Sequence, residues 1–381
     1  MKTFDVYPIN DITIVKAEGM TLWDDKNNTY TDMYGGHAVI SIGHTAKRYV
    51  DYLQKQLQLI GFYSNSIKIP AQQLLAEKLT QLSGKTDYSL FMCNSGAEAN
   101  ENALKLASFH NGKKRVIAFT DAFHGRTSLA VSATDNPKIV APVNQTDHII
   151  FVPYNDSEKL KEVFQQEEVS SVIVEAIQGV GGVKVATPAF LSTIRTLCTA
   201  HNAAMIADCV QCGCGRTGDY FALDHSGVKA DIYTMAKGIG NGFPIGALLI
   251  APQFVAKYGM LGTTFGGNHL ACQAALAVVD DMVEKRLMEN AKIQGDYLIQ
   301  ALKAMDSDLI VEVRGRGLMI GVVLNQPAKP IRLKLLHEEH LFVGAAADCH
   351  LIRLLPSLTI TRATCDLFLA AFKKVLQEWK N

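Results

Sequence analysis

The stretch DIYTMAKGIGNGFPIG, residues 231–246, contains Lys237 at the point where an apolar run with β propensity meets a glycine-rich segment. In α/β proteins such a lysine lies where ligands bind, outside the carboxyl ends of the strands. A surface lysine in a turn is the simpler interpretation. A phosphate-binding P-loop is a poorer one, because its glycines must precede the lysine, and here they follow it. Residues elsewhere in the chain have to decide between a ligand site and a turn.

The composition is typical of a globular protein with a large core. The chain has 381 residues, of which 48% are hydrophobic and 19% charged, and its formal net charge is +0. This balance gives no reason to expect binding to nucleic acid or to an anionic membrane. We find no secretory signal at the N-terminus, and no apolar run approaches the ~20 residues of a membrane span. We therefore expect a cytoplasmic protein of about two to three domains.

Short apolar runs alternate with helical segments from residue 115 onward, at 115–119, 148–153, 171–176 and 203–208. This βαβ alternation predicts a mostly parallel sheet covered on both faces, and a smaller α+β unit follows from about residue 290. Near the N-terminus, residues 38–43 read as a further strand. The ends of successive strands carry polar residues that we expect to share one site: Asp121, His124, Arg126, Glu175, Gln178, Asp208, Gln211 and Lys237.

A capped helix is predicted after the apolar run that ends near Cys93. Ser95 and Glu98 have the S-x-x-E spacing of a capping box, and the apolar positions after them have helical spacing. The free N–H groups and the dipole at a helix N-terminus make a ready anion site. An ordinary capped helix would look the same, so this feature alone does not identify a site.

Two motifs point to other classes of protein. Gly213–Gly218 fits G-x-G-x-x-G, but a dinucleotide site needs an apolar helix directly afterwards, and the residues after Gly218 are irregular. Cys209, Cys212 and Cys214 are close enough for a soft-metal site, but no second pair of ligands stands nearby. A dinucleotide-binding oxidoreductase and a cysteine-based metal module therefore stay open as remote alternatives, and we expect no metal.

Long motifs in one order resemble the class III aminotransferases, which are pyridoxal-phosphate (PLP) enzymes of fold type I. Within that class they are most similar to the N2-acetylornithine and N2-succinylornithine aminotransferases of arginine biosynthesis. The motifs are WDDKNNTYTDMYGGHAVISIGH, FMCNSGAEANENALKLA, FHGRT, DCVQCGCGRTG, TMAKGIGNGFPIGA, TFGGNHLACQAA, RGRGLMIG and IRLLPSLTIT.

The resemblance implies a large domain with a seven-stranded, mostly parallel sheet and a smaller α+β C-terminal domain. We place the PLP-binding domain at 46–288 and the small domain at 289–381, with residues 1–45 joining the small domain.

It also implies a role for each cofactor contact. Lys237 would hold PLP covalently and move the proton between substrate and cofactor, and Asp208 would bind the ring nitrogen. Gln211 would contact the phenolic oxygen of the ring, and Phe123 would stack on its face.

The remaining implied contacts concern the phosphate, the substrates and a second subunit. The amides of Gly96 and Ala97 would cradle the phosphate, completed by Thr264 from the partner of a homodimer with shared sites. Arg126 would bind the carboxylate of the acylornithine, and Arg353 the α-carboxylate of glutamate or 2-oxoglutarate. We add Thr263 and Glu175 to the expected substrate contacts.

Three positions depart from the family pattern. Val180 replaces a glutamate that covers the arginine at Arg353 when the amino donor has no carboxylate for it, and Cys209 replaces an acidic residue. Lys68 stands about where acetylornithine enzymes have an aromatic residue, so we hypothesise that it meets the second carboxylate of an N2-succinyl group.

The predicted activity is transfer of the δ-amino group of an N2-acylornithine, acetyl or succinyl, to 2-oxoglutarate. Ornithine, 4-aminobutyrate or another ω-amine as donor is the first alternative. The sequence leaves open which acyl group is used, whether dimers assemble further, and whether the loss of the glutamate at Val180 slows one half-reaction.

Overall fold

The structure is a computed structural model that describes residues 3–379. Helices and strands alternate through most of the chain, as the apolar spacing predicts. The α-helices are Lys47–Leu57, Pro70–Leu82, Gly96–Asn111, Ser128–Ser132, Ser157–Gln166, Pro188–Ala200, His269–Glu284, Leu287–Lys303, Lys329–His337 and Arg362–Trp379. Short 3-10 turns are Pro137–Ile139, Pro142–Asn144, Ala222–Ser226 and Lys237–Ile239.

The central element is a seven-stranded sheet whose neighbouring strands are parallel except around Gly246–Ile250, which is antiparallel to both of its neighbours. Val169–Val174 is buried at all six positions, because helices cover both faces of the sheet. This arrangement confirms the predicted mostly parallel, seven-stranded α/β fold. Across the sheet the strands are Ser89–Cys93, Gly246–Ile250, Ile232–Met235, Ala204–Asp208, Val169–Val174, Arg115–Phe119 and Ile149–Val152.

The C-terminal part forms a smaller α+β layer. Its three-stranded antiparallel sheet packs against the helix Leu287–Lys303, which also contacts the helix Arg362–Trp379. The strands of this sheet are Ile310–Arg316, Met319–Leu324 and Leu351–Leu354, and a two-stranded ribbon is formed by Ile177–Gln178 and Lys184–Val185.

The N-terminal strands share a four-stranded sheet with a segment of the C-terminal part, because Thr29–Asp32 pairs in parallel with Leu341–Phe342. The other two strands of this sheet are Ile14–Glu18 and Thr21–Asp24. The domain boundaries at residues 45 and 288 stay predictions. The second one falls in the first turn of the helix Leu287–Lys303.

The strand predicted at residues 38–43 is wrong. Four consecutive residues, Gly35 to Ala38, have positive φ angles of 56°, 53°, 69° and 67° and form one left-handed turn. The amides of Ser41 and Ile42 then donate to Oδ1 of Asn241, at 2.9 and 3.0 Å, instead of to a neighbouring strand. Asn241 lies in the loop after Lys237, so this tertiary contact ties the segment to that loop.

The features behind the two remote alternatives take other forms. The segment after Gly218 contains the short 3-10 turn Ala222–Ser226 and no helix of the kind that a dinucleotide fingerprint requires. Cys209, Cys212 and Cys214 are buried thiols, and burial raises the pKa of Cys214 to about 12. Within residues 3–379, no helix is both long enough and apolar enough to cross a membrane.

Candidate active site

A cavity of about 410 Å³ lies at the carboxyl ends of the parallel strands. Residues that follow four successive strands of the sheet meet there, as predicted from their positions after the apolar runs. Asp121 and Gln178, expected at the same site, do not line the cavity: Asp121 pairs with Lys184, and Gln178 donates to the carbonyl of Thr120. Among its lining residues are Asn94, Ser95, Gly96, Ala97, Asn100, Phe123, His124, Arg126, Glu175, Val180, Asp208, Gln211, Lys237 and Phe243.

Lys237 follows the strand Ile232–Met235 after one residue, Ala236, and starts a 3-10 turn with a φ of +48°. Burial lowers the pKa of its ammonium group, and the nearby Arg353 lowers it further, while Asp208 and Glu175 act in the opposite direction. Its Nζ has no hydrogen-bond partner within residues 3–379. The arrangement provides an unpartnered amine that loses its proton more readily than an ordinary lysine.

Asp208 ends the strand Ala204–Asp208 and is 3% exposed. Its Oδ2 accepts from Nδ2 of Asn100 at 2.8 Å and lies 2.7 Å from Nδ1 of His124, and its Oδ1 accepts from the amide of Val210 at 3.0 Å. Asn100 is itself held, since Thr234 donates to its Oδ1 at 2.7 Å. This carboxylate is therefore fixed in one orientation, facing the cavity.

Glu175 is also buried at the cavity, and both of its carboxylate oxygens accept from backbone amides. Oε1 accepts from Phe123 at 3.0 Å, and Oε2 accepts from Gly179 at 2.9 Å. Burial, followed by the charge of Asp208, raises the pKa of Glu175 to about 7. Through the bond to the amide of Phe123, Glu175 fixes the backbone of a residue that lines the cavity.

The helix Gly96–Asn111 points its N-terminus at the cavity. Ser95 caps it, accepting from the amide of Glu98 at 3.2 Å, while Oε2 of Glu98 accepts from the amide of Asn94. The amides of Gly96 and Ala97 have no partner among the described residues. Two donors at a helix N-terminus are therefore free for an anion.

The space around this helix start requires small residues. A Cβ at Gly96 would lie 2.7 Å from Cγ1 of Val210, and one at Gly125 would lie 2.8 Å from Cβ of Ala97. A side chain at either glycine would push the backbone away from the cavity.

Arg353 lies on the strand Leu351–Leu354 of the small sheet and is 3% exposed. Its Nη1 donates to Oε1 of Gln211, and its Nη2 donates to the hydroxyl of Tyr34, both at 2.9 Å. Its Nε is buried without a partner, and no carboxylate pairs with this guanidinium within residues 3–379. A buried cation without a counter-ion is costly, which indicates a site for an anion.

The other predicted substrate contacts have different surroundings. Arg126 lines the cavity, is exposed and has no ion pair among the described residues. Thr263 accepts from Nδ2 of Asn94 at 3.1 Å, which places it behind a lining residue. Thr264 and Lys68 are exposed and do not line the cavity of their own chain.

Three residues at the site are not singled out in the sequence interpretation, namely Tyr34, His37 and Asn100, and His124 is expected there without a specific role. Asn100 stands on the buried face of its helix with Ala103 and Leu104, and a polar residue on an apolar face was the signal that could have revealed it. Tyr34 and His37 flank a Gly-Gly pair, and the double glycine was the corresponding signal there.

A profile of the family "Aminotransferase class-III" matches residues 5–376. An acetylornithine aminotransferase of Bacillus subtilis is 38% identical over 365 residues, covering 94% of this chain and 93% of its own. An acetylornithine aminotransferase of Methanocaldococcus jannaschii is 37% identical, covering 99% and 96%.

Solved structures agree with this. The ornithine aminotransferase of Toxoplasma gondii superposes with a TM-score of 0.92 at 27% identity, covering 98% of this chain and 92% of its own. The acetylornithine aminotransferase of Elizabethkingia anophelis has a TM-score of 0.86 at 29% identity, covering 98% and 95%.

The residues at the cavity fit pyridoxal phosphate. The free amides of Gly96 and Ala97 suit its phosphate, the carboxylate of Asp208 suits its ring nitrogen, and the unpartnered amine of Lys237 suits its aldehyde. The chain belongs to the class-III aminotransferases, and pyridoxal phosphate is its cofactor.

Proposed function

We propose that this enzyme moves the δ-amino group of an N2-acylornithine, acetyl or succinyl, to 2-oxoglutarate, as a cytoplasmic step of arginine biosynthesis. The observation that carries the proposal is the buried guanidinium of Arg353, which has two neutral partners and no carboxylate. Such a group is stabilised by an anionic ligand, and the α-carboxylate of glutamate or 2-oxoglutarate supplies one.

The second carboxylate site is Arg126, at the exposed side of the same cavity. An unpaired guanidinium at this position suits the carboxylate of an acylornithine. Because its α-nitrogen is acylated, the carboxylate and the δ-amine are the two charged groups of this substrate. In the other half-reaction the same arginine suits the distal carboxylate of 2-oxoglutarate. Acetylornithine is the substrate that the names of the curated relatives print.

Pyridoxal phosphate, when bound, supplies the carbon that accepts the amino group and a ring that delocalises charge from the substrate carbon. Lys237 moves the proton, because burial lowers the pKa of its ammonium group and leaves Nζ free to accept and return it. Asp208 holds the ring nitrogen protonated, and His124 and Asn100 keep this carboxylate oriented. Glu175 sets the position of Phe123 through its amide.

A homodimer with shared sites is part of the proposal. Phe62 and Phe265 stand 43% and 59% exposed, with ring centroids 5.4 Å apart, and further exposed apolar side chains precede and follow Phe62 in the chain. Exposed apolar patches of this kind mark protein interfaces, and a second copy of this chain would cover it. The exposed Thr264, next to Phe265, would then reach the phosphate in the partner's cavity. The further apolar members are Leu57, Leu59, Ile60, Tyr63 and Ile67.

Lys68 would enter the partner's cavity with Thr264. Nδ2 of Asn65, three residues before Lys68, donates to the carbonyl of Gly266 at 3.0 Å, so the two exposed segments are bonded to each other. This supports Lys68 as the contact for the second carboxylate of a succinyl group.

The experiment that tests the substrate is a single-turnover titration of the PLP form with N2-succinylornithine, N2-acetylornithine, ornithine and 4-aminobutyrate. We expect the absorbance of the PLP form to disappear fastest with an acylornithine. Arg126→Leu should lower the second-order rate constant for the reaction of the PLP form with the acylornithine by roughly 30-fold or more. Fast reaction with ornithine or 4-aminobutyrate, and none with either acylornithine, would refute the substrate and leave the cofactor chemistry intact.

Shared sites are tested by mixing two impaired variants, Lys237→Ala and Thr264→Asp. If Thr264 serves the partner, a mixed dimer contains one site with both native residues, and activity returns on mixing. If Thr264 serves its own chain, no such site exists in any dimer and the mixture stays inactive.

A further inference from the structure

Arg353 belongs to a closed ring of hydrogen bonds that reaches the left-handed turn near the N-terminus. Its Nη2 donates to the hydroxyl of Tyr34, which lies 2.6 Å from Nδ1 of His37. On the other side Nη1 donates to Gln211, whose Nε2 donates to the carbonyl of His37 at 3.3 Å. Both contacts of the guanidinium therefore return to one residue, His37.

The direction of these bonds follows from the groups involved. A guanidinium only donates, so the oxygen of Tyr34 accepts from Arg353, and its own proton is available to Nδ1 of His37 when that nitrogen carries no proton. This requires a neutral imidazole. Partial burial lowers the pKa of His37, and the cations Arg353 and Lys237 lower it further. The hydroxyl of Tyr34 is thus polarised, with its electron-rich oxygen held against the guanidinium.

The backbone is shaped to hold this pair. His37 has a φ of +69° and follows two glycines that also have positive φ, a conformation that side chains other than glycine rarely adopt. Oδ1 of Asp32 accepts from the amides of Tyr34 and Gly35, at 2.9 and 2.8 Å, which fixes the start of the turn. Strain of this kind persists only where the surrounding structure holds it, and it is concentrated at functional sites.

The ring of Tyr34 occupies a slot that exists because residue 344 is glycine. A Cβ at Gly344 would overlap the ring, and the amide of Gly344 donates to the carbonyl of Arg353 at 2.8 Å. The phenol ring therefore packs against the backbone at Gly344, which pairs with the strand that carries Arg353, and the centre of the guanidinium lies 5.5 Å from the ring centroid.

We propose that Tyr34, held by His37, is the residue that covers Arg353 while no carboxylate is bound there, and that it is displaced by the α-carboxylate of glutamate or 2-oxoglutarate. The inference rests on the proposed function. In the family pattern a glutamate at position 180 covers the arginine. Val180, at the cavity wall, has no side-chain acceptor, and the proposal gives this role to the neutral phenol of Tyr34. Tyr34 is in this sense a specificity-determining residue that decides between the two half-reactions.

The physical consequence is a competition for Nη2 of Arg353. A carboxylate forms a stronger, charge-assisted pair with a guanidinium than a phenol does, so the incoming substrate wins. The phenol nevertheless has to give up its bond, which weakens the binding of every carboxylate at this position. An amino donor that brings no carboxylate to Arg353 leaves the phenol in place and the cation satisfied.

The test is the binding of glutarate to the PLP form of the enzyme, measured by calorimetry. Glutarate carries the two carboxylates of 2-oxoglutarate but has no keto or amino group, so it binds without reacting. We expect Tyr34→Phe, which keeps the ring in its slot, to bind glutarate about fivefold to tenfold more tightly, because no hydroxyl has to be displaced. His37→Asn, which tolerates a positive φ, is expected to tighten binding about twofold.

A structural role for Tyr34 would not produce this result. Weaker or unchanged binding of glutarate by Tyr34→Phe would overturn the proposal, since the hydroxyl would then be a ligand or a bystander. Should Tyr34→Phe not fold, the same criterion applies to His37→Asn. The matched control is Tyr52→Phe, whose hydroxyl donates to Asp280 at 2.9 Å away from the cavity and whose loss should leave the affinity unchanged.

Arg353→Gln separates this inference from the proposed function. Loss of glutarate binding in Arg353→Gln together with weaker binding in Tyr34→Phe would refute the role of Tyr34 as the cover and support Arg353 as the carboxylate site. Unchanged glutarate binding in Arg353→Gln would refute both the carboxylate site at Arg353 and its cover by Tyr34. In kinetic terms, tighter binding in Tyr34→Phe should appear as stronger competitive inhibition of the acylornithine half-reaction by glutarate.

Discussion

Nδ1 of His124 lies 2.7 Å from Oδ2 of Asp208, and both side chains are almost completely buried at the base of the cavity. The same oxygen accepts from Asn100, whose own oxygen accepts from Thr234. The carboxylate that we assign to the cofactor ring is thus held by Asn100 of the helix Gly96–Asn111, and Asn100 is held in turn by Thr234 of the neighbouring strand Ile232–Met235.

The first prediction concerns Asn100. Asn100→Ala leaves the carbonyl of His124 and the hydroxyl of Thr234 without their partners, and it removes one donor from Asp208. We expect a loss of about 1–3 kcal/mol in the free energy of unfolding and weaker binding of PLP. Asn102→Ala, on the same helix, is the control, because its side chain bonds only within that helix. Equal effects of both changes on PLP affinity would contradict the assignment.

The second prediction concerns the protonation of Glu175. Its pKa in the folded enzyme is raised from 4.5 to about 7, so between these values the folded state holds a proton that the unfolded chain has released. The stability from this group is therefore present below about pH 4.5 and is lost as the pH rises through about 7. Melting temperatures of the apo protein should show a wild-type advantage over Glu175→Gln that shrinks from pH 5 to pH 8, an interval of ~3 units. An advantage that grows over this interval would refute it.

The third prediction concerns Val180, where the family pattern has a glutamate. Val180→Glu adds an acidic cover that competes for Arg353 with the substrate carboxylate. We expect the KM for 2-oxoglutarate to rise roughly tenfold, with a smaller effect on the acylornithine half-reaction. Val185→Glu introduces the same charge on an exposed strand nearby and serves as the control. A similar rise in both variants would point to the charge alone.

The fourth prediction concerns Lys68. Lys68→Tyr should weaken turnover of N2-succinylornithine more than that of N2-acetylornithine, because only the succinyl group carries a second carboxylate. We expect a difference of about 5-fold or more in the ratio of the two kcat/KM values. The control is Lys303→Tyr, at an exposed lysine that ends the helix Leu287–Lys303. Equal losses with both donors would exclude a contact between Lys68 and the acyl group.

The segment 38–43, which was predicted as a strand, directly follows Tyr34 and His37, two members of the ring around Arg353. Residues 38–43 have the β-branched and apolar composition of a strand, and although Gly35 and Gly36 permit a left-handed turn, nothing local indicates that His37 and Ala38 continue it. Bonds to Asp32 and Asn241 outweigh that preference. Asn241 cannot be chosen as a partner from the sequence, because it lies two hundred positions further along the chain than Ser41.

The sequence by itself determined the sheet, the order of its elements and the residues at the strand ends, because apolar periodicity and glycine-rich turns are local signals. It also named Lys237, Asp208, Glu175 and Arg353. Only the tertiary structure decided how these groups are held. It placed His124 and Asn100 on Asp208, turned Glu175 toward backbone amides, and put Tyr34 against Arg353. Such contacts depend on which elements pack together. Their energies depend on how deeply the polar groups are buried and on the geometry of the hydrogen bonds, and no single stretch of sequence specifies either.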